Sequence, residues 1–510
     1  MSAEAGANVG SADLPSPTLA TRLPRNGIAR NISYLLGGQM TTWALAAIWT
    51  VIVPRQIGPT GMGQLVTVWA STGILIMLVS LGTKVLVVTE IARDPASAGR
   101  RVAAAIAARL TLFIPGAALM ALYVYGAHFD RYQVLLLVVA TASMPFALAN
   151  EVFQAAFQGL ERMQYLAYLD VIYKTVFTAG GIVLVLLGFH VLSLVVLGAG
   201  AAFLVFVTSL YWARRHFDLL WWTSLAEVRR LAIASLPFWA TTLFVTFYTW
   251  IDSVMLALLA SPREVGWYGV SIKLFGTLLF VPIIIGTATL ARLTATHKNG
   301  RDSFRRELTP IVESTLVLSL PIAAATVAIA GPLVLLLYGP AFAESAPVLS
   351  ILGFAIPATY LNIVVNQSLI ASGRQLVWTK VMAVSAVLNP LLNLFAIPAA
   401  HAAWHNAALG AAWSLVATEA LMLGAGLYLL RGCIDPAAAR RVVKAGLAAL
   451  AMGLAVYLAQ GYGLVLQIAL GFLLIAGLAL PLGLIKPHEL AVARQLAARV
   501  RSRLVRREAI

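Results

Sequence analysis

The stretch YGVSIKLFGTLLFVP, residues 268–282, is an apolar run with one lysine, Lys273, near its centre. Apolar runs of this kind recur along most of the chain. If such a run crosses a bilayer, an ammonium group at that depth costs about 2.5–3.5 kcal/mol on insertion scales. We therefore expect Lys273 to be paired, to extend towards the interface, or to face a polar cavity.

The composition extends the membrane interpretation to the whole chain. Of its 510 residues, 60% are hydrophobic and 11% are charged, with a mean hydropathy of +0.88, whereas soluble domains carry about 25% charged residues. The net charge of +16 lies in short loops and tails between apolar runs, so we expect no nucleic-acid partner. A single cysteine, Cys433, excludes an internal disulfide and offers no framework for a metal.

Fourteen segments are long and apolar enough to span a membrane, which predicts an all-α polytopic membrane protein. The predicted spans are residues 31–54, 62–90, 102–126, 133–158, 165–188, 191–213, 232–260, 266–291, 309–331, 343–371, 376–398, 407–430, 440–459 and 464–485.

The basic residues indicate the orientation of these spans. Of the 36 Lys and Arg residues, 29 fall in the tails and loops on the N-terminal side, three in the opposite loops and four inside spans. The 29 include Arg109, which we count on the N-terminal side. Because cytoplasmic loops carry the excess of Lys and Arg, both termini are predicted to be cytoplasmic.

Two motifs recur at nearly constant spacing. IGPTGMGQL, residues 57–65, matches ASPREVGWY, residues 260–268, through a proline and a glycine that are both offset by 203. MPFALANEVFQ, residues 144–154, matches IPATYLNIVVNQ, residues 356–367, with an offset of 212. Since six spans separate the partners, the motifs predict two six-helix repeats of like orientation, followed by two C-terminal helices. Parallel repeats of this kind are a transporter architecture with the substrate path between the halves.

This pattern divides the chain into five parts. They are a disordered cytoplasmic tail at 1–27, an N-terminal six-helix lobe at 28–215, an amphipathic linker with a C-terminal six-helix lobe at 216–431, two extra transmembrane helices at 432–485, and a basic cytoplasmic tail at 486–510.

The opening NISYLLGGQMTTWALAAIWTVIVPRQIGPTGMGQLVTVWASTGILIMLVSLGTKVLVVTEIARDP, residues 31–95, and GLERMQYLAYLDVIYK, residues 159–174, resemble the bacterial polysaccharide-repeat-unit flippases. These belong to the multidrug/oligosaccharidyl-lipid/polysaccharide exporter superfamily. The resemblance covers about residues 28–485. It implies a transporter in the bacterial inner membrane that moves undecaprenyl-pyrophosphate-linked oligosaccharides, for O-antigen or exopolysaccharide synthesis, to the periplasmic leaflet. It also implies membrane lipids, a polysaccharide polymerase and chain-length machinery as partners, and no cofactor.

A flippase for a pyrophosphate-linked glycan needs cationic side chains in a water-accessible cavity. The candidates for substrate binding are Lys273, Lys174, Lys84 and Lys380. Lys84 and Lys380 lie close enough to the ends of their spans to extend to the interface instead. Lys273 lies at a depth similar to that of Asp252 on the preceding span, so a plain Asp252–Lys273 salt bridge is the alternative to a substrate contact.

The carboxylates inside the spans are candidates for ion coupling or for charge pairing. Asp170 precedes Lys174 by four residues, the favourable order for a pair on one helix, and Glu151 lies at similar depth on the span before it. These three form either a structural ion-pair cluster or a polar patch on the path. Asp252, Glu151 and Glu419 are the candidates for a titratable or cation-coordinating group.

Other function classes have less support. A drug or cation antiporter of the same superfamily predicts a lumen dominated by carboxylates. The four lysines inside the spans argue against that function. A lipid II flippase shares the fold and is a further alternative. A membrane polymerase or glycosyltransferase predicts a large Arg/His-rich periplasmic loop or a cytoplasmic carboxylate motif, and neither is visible. We find no P-loop and no hydrolase pattern, so we expect no enzymatic activity.

His401 and His405 are one turn apart, but no further ligands adjoin them, so we predict no metal site.

Overall fold

A computed structural model describes residues 25–220, 222–479 and 481–484, without the side chains of residues 25–44, 240, 241 and 245. The predicted basic tail at 486–510 lies outside the described residues. So does the predicted disordered tail at 1–27, except for its last three residues, where the first helix already begins.

The described residues form helices and no strands. The helices are α1 (Arg25–Ser80), α2 (Thr83–Arg93), α3 (Ala98–Gly126), α4 (Arg131–Gly159), α5 (Met163–Leu186), α6 (Val191–His216), α7 (Leu225–Leu259), α8 (Pro262–Leu278), α9 (Phe280–Lys298), α10 (Arg301–Tyr338), α11 (Ser345–Ala371), α12 (Gln375–Trp404), α13 (Ala407–Leu429), α14 (Ala438–Leu458) and α15 (Leu464–Ala479).

The helices confirm the prediction of an all-α polytopic membrane protein. Twelve described stretches are long and apolar enough to cross a membrane. Two differences reconcile this number with the fourteen predicted spans. The first span and half of the second run together as α1, across a kink at Gly58 (φ 71°), and the last span is the shorter helix α15.

Polar caps fix the ends of the helices around the middle of the chain. The Ser224 hydroxyl accepts a hydrogen bond from the backbone N–H of Glu227 and starts α7. At the start of α8, Ser261 and Glu264 form a reciprocal capping box, and Pro262 occupies the first turn. These caps satisfy backbone N–H groups that lack partners within the helix.

The second span of each repeat is broken. The second span stops at Leu81 and Gly82, both with positive φ, and restarts as α2. A Cβ on Gly82 would lie 2.6 Å from the backbone nitrogen of Trp239, so the close approach of α7 requires glycine here. The eighth span is divided into α8 and α9 at Leu279, shortly before Pro282, whose ring cannot continue the hydrogen-bond ladder.

The two copies of the proline–glycine motif, at residues 57–65 and 260–268, contact each other. A Cβ on Gly63 of α1 would lie 1.7 Å from the carbonyl oxygen of Pro262, and a Cβ on Gly266 of α8 would lie 1.9 Å from that of Pro59. The contact is reciprocal because each glycine meets the proline of the other repeat. This is the arrangement expected of two like-oriented repeats around a pseudo-two-fold axis.

Hydrophobic clusters form the cores of the halves. Two clusters draw only on residues between 49 and 231, and two others draw chiefly on residues between 248 and 434. We call α1–α6 the N-terminal lobe and α7–α13 the C-terminal lobe. Helices α14 and α15 pack on α10, where Arg441 pairs with Glu313 (Nη1 to Oε2, 3.1 Å).

Candidate functional site

Lys273 lies where α8 of the C-terminal lobe packs on α1 of the N-terminal lobe. Its Nζ is 4.3 Å from the ring centroid of Trp49 and 5.7 Å from that of Trp69, both on α1. The rings attract the ammonium through their negative faces and keep it out of hydrocarbon. The structure therefore places Lys273 on a protein-facing surface between the lobes.

The alternative reading of a plain Asp252–Lys273 salt bridge is wrong for the described residues. Asp252 is 3% exposed, and its Oδ2 accepts a hydrogen bond from the Tyr268 hydroxyl (3.0 Å). Its Oδ1 accepts one from Asn393 Nδ2 of α12 (2.6 Å). Lys273 follows Tyr268 by five residues, which turns it about 140° around the helix. The two side chains share a depth but face in different directions.

Glu419 belongs to the same polar region of the C-terminal lobe. Its carboxylate accepts hydrogen bonds from the Tyr248 hydroxyl (3.0 Å) and from Asn362 Nδ2 (2.6 Å). Tyr248 lies one turn before Asp252 on α7, so the two carboxylates are linked through one helix. We call the set formed by Asp252, Glu419, Tyr248, Tyr268, Asn362, Asn389 and Asn393 the carboxylate cluster.

The sequence interpretation missed the tyrosines and asparagines of the carboxylate cluster. Asn389 and Asn393 lie one turn apart inside the eleventh span, where Asn393 Nδ2 donates to Asn389 Oδ1 (2.8 Å). Paired asparagines in an apolar helix were the signal that could have revealed the site, because buried amides need partners. Among the described residues, neither carboxylate of the cluster has a cationic partner.

Glu151 does not join the predicted cluster with Asp170 and Lys174. It pairs with Arg109 (Oε2 to Nη1, 2.7 Å), whose side chain is 1% exposed. Arg109 also donates from Nε to the Thr83 hydroxyl (2.8 Å), directly after the break in the second span. Arg109 was counted with the basic residues of the cytoplasmic side, whereas the structure buries it within α3.

The remaining charges lie on the predicted cytoplasmic halves of their helices. Asp170 interacts electrostatically with Lys174 and with Lys84 of α2, without a direct salt bridge among the described residues. Lys84 and Lys174 are half-buried, whereas Asp170 and Lys380 are exposed. Lys84, Asp170 and Lys174 thus form one group, and Lys380 lies apart from it on α12.

The comparisons with known proteins agree with this architecture. A family profile described as "Polysaccharide biosynthesis protein" matches residues 28–296, and a second profile, MatE, matches residues 237–395. A comparison with curated proteins gives no match.

Several solved structures are similar to this chain. One is described as lipid II flippase MurJ in an inward closed conformation (TM-score 0.71, 13% identity, 88% of this chain and 98% of that one). Another is an inward-facing multidrug resistance MATE family transporter of the MOP superfamily (TM-score 0.61, 15% identity, 79% and 98%). At these identities the likeness concerns the fold. Since the first profile matches more than half of the 510 residues, the chain belongs to the polysaccharide biosynthesis protein family.

Proposed function

We propose that this protein flips undecaprenyl-pyrophosphate-linked oligosaccharide repeat units from the cytoplasmic to the periplasmic leaflet of the inner membrane, by alternating access. The observation that carries the proposal is Lys273, a half-buried ammonium between the two lobes that lies against Trp49 and Trp69 and has no carboxylate partner among the described residues. In this proposal both termini are cytoplasmic, and the product passes to a polymerase and chain-length machinery.

The environment of Lys273 suits a pyrophosphate. Aromatic faces stabilise the ammonium without neutralising its charge, and they take none of its three N–H donors by a conventional hydrogen bond. A carboxylate partner would have to be displaced before an anion could bind, whereas a ring would not. A pyrophosphate that enters between the lobes therefore meets a cation that is partly desolvated and held in place by the rings.

The other lysines extend the cationic path towards the predicted cytoplasmic side. Lys84 and Lys174 lie around Asp170 in the N-terminal lobe, where the anionic head group would enter. Lys380 lies on the facing lobe and is exposed. The carbon chain of the substrate has its own surface in this proposal, an apolar cavity of about 780 Å³ between α10, α14 and α15.

The carboxylate cluster supplies the candidates for ion coupling. Burying an isolated carboxylate is costly, so Asp252 and Glu419 favour either a proton or a bound monovalent cation. Their neutral partners, tyrosine hydroxyls and asparagine amides, fit either one. We infer that uptake of a cation or proton by this cluster drives one step of the cycle. Glu151 is left out of this proposal because it pairs with Arg109.

A drug or cation antiporter is the second candidate function. It is favoured by one observation, that residues 237–395, which match the MatE profile, include Asp252, Asn362 and Asn393 of the carboxylate cluster. It gives no role to the ammonium of Lys273 between the lobes. A lipid II flippase has only the likeness of fold in its favour.

The test is complementation of a deletion strain with variants whose membrane insertion is checked by immunoblot. Lys273→Ala is expected to abolish surface polysaccharide and to leave lipid-linked repeat units on the inner leaflet. The matched control is Arg263→Ala, which removes a cation lying 5.2 Å from the ring centroid of Trp267, at the predicted periplasmic end. If the deletion strain makes wild-type amounts of surface polysaccharide and shows altered sensitivity to drugs or cations, the flippase proposal is wrong and the antiporter is favoured.

A further inference from the structure

Four aromatic rings lead away from Lys273 into the N-terminal lobe. Tyr173 stacks on Phe177 along α5, with ring centroids 6.0 Å apart and planes 5° apart. Phe177 stacks on Trp49 at 5.9 Å and 25°, and Trp49 meets Trp69 at 5.3 Å and 45°. We call these four rings the aromatic row. It begins at Tyr173, which is 37% exposed, and ends under the ammonium of Lys273.

A cavity of about 140 Å³ adjoins the aromatic row and is lined by three of its rings, Trp69, Tyr173 and Phe177. It also has hydroxyl groups in its wall. Thr72 donates to the carbonyl of Val68 (2.7 Å) and Ser143 donates to that of Ala140 (2.7 Å). Because both hydroxyls donate within their own helices, their oxygen lone pairs are left to accept hydrogen bonds from a ligand.

Trp49 lies next to this cavity without lining it. Its ring is 3% exposed, yet its Nε1–H has no hydrogen-bond acceptor among the described residues. The nitrogen lies against Gly181 of α5, next to Leu194, and Leu194 lines the cavity. A buried donor without an acceptor is uncommon, and a ligand oxygen would satisfy it.

We propose that the aromatic row and its cavity form the subsite for the saccharide ring that is bonded directly to the pyrophosphate. The inference rests on the proposed function. The Trp69 ring lies 5.7 Å from Lys273 Nζ and also lines the cavity, so a pyrophosphate on Lys273 places its first sugar beside the row. The C–H face of a pyranose stacks on aromatic rings, and its hydroxyl groups donate to the lone pairs of Thr72 and Ser143. The row thus distinguishes a glycosylated carrier from a bare one.

The test is equilibrium binding of two radiolabelled probes to the full-length protein in nanodiscs. One probe is undecaprenyl pyrophosphate, and the other is the same lipid carrying a single glucose. Tyr173→Ala is expected to weaken binding of the glycosylated probe about 3- to 10-fold and to leave binding of the bare probe unchanged. Tyr173→Phe keeps the ring and is expected to bind both probes as the wild type does.

Two further variants separate this inference from general effects and from the proposed function. Tyr125→Ala, which removes an 81% exposed ring of α3, is the matched control and is expected to bind both probes normally. Lys273→Ala is expected to weaken the binding of both probes equally.

An equal effect of Tyr173→Ala on the two probes, or no effect on either, would overturn the saccharide subsite. Equal affinity of the wild type for both probes would overturn the subsite while the flippase proposal stands. If the wild type bound neither probe, the flippase proposal itself would fail.

Discussion

Replacing Gly63 by alanine tests whether the crossing of α1 and α8 holds the lobes together. The new Cβ would lie 1.7 Å from the carbonyl oxygen of Pro262, whereas real Cβ contacts are essentially never closer than 3.0 Å. The opposing atom belongs to the backbone, so the two helices must separate by at least the 1.3 Å difference. Overpacking of this kind costs about 1–3 kcal/mol, which shifts a two-state equilibrium between lobe arrangements roughly 5- to 150-fold.

The separation of α1 from α8 can be detected by cysteine labelling. Met62 is fully buried and, together with Val66, packs in a core cluster whose other buried members come from the C-terminal lobe. In a Cys433→Ser background, Met62→Cys is expected to resist a membrane-impermeant maleimide. Adding Gly63→Ala is expected to make that cysteine reactive from the periplasmic side and to reduce transport.

The matched control for this experiment is Gly446→Ala in α14. A Cβ there meets nothing within 4 Å, so the change is expected to be neutral or slightly stabilising. If Gly63→Ala left Met62→Cys unreactive and transport at the wild-type level, the close crossing would not hold the lobes, and the reasoning from the backbone contact would be refuted.

Two further predictions concern the buried charges. Arg109→Met leaves the one-third exposed carboxylate of Glu151 without its partner and is expected to destabilise the N-terminal lobe by about 1–3 kcal/mol, seen as a lower Tm in detergent. The double variant with Glu151→Leu should recover most of the loss, and failure to recover would count against a direct pair. Asp252→Asn keeps the shape of the side chain but removes its charge, so it is expected to insert normally and to lose the dependence of transport on sodium or pH; transport that kept its ion dependence would remove Asp252 from the coupling proposal.

The membrane architecture could be predicted because it depends on properties that add up along the chain. Hydropathy located the helices, and the pattern of Pro59 and Gly63 against Pro262 and Gly266 revealed the repeat. These motifs were informative because the backbone itself forms the contact, and only glycine permits it. A constraint of this kind leaves a direct trace in the sequence.

The partners of the buried charges could not be predicted in the same way. The sequence gives the depth of a side chain along its helix, but not which neighbour it faces. Asp252 and Lys273 have similar depth, yet one faces Asn393 and the other faces Trp49. Arg109 was counted with the basic residues of the cytoplasmic side, because its partner, Glu151, lies 42 residues further along the chain and no local pattern marks the pair. Such pairings follow from the packing of the helices and not from local pattern.

The reciprocal contact of the two glycines has a mechanical consequence. While it holds, the lobes touch near one end of the molecule through backbone atoms, so the crossing can serve as a fulcrum with the rest of each lobe as its lever arm. Across a hydrocarbon core of about 30 Å, a rocking motion of about 20° around such a fulcrum displaces the far ends by roughly 10 Å. A small angular change at one pair of glycines would thus be amplified into an opening wide enough for a sugar.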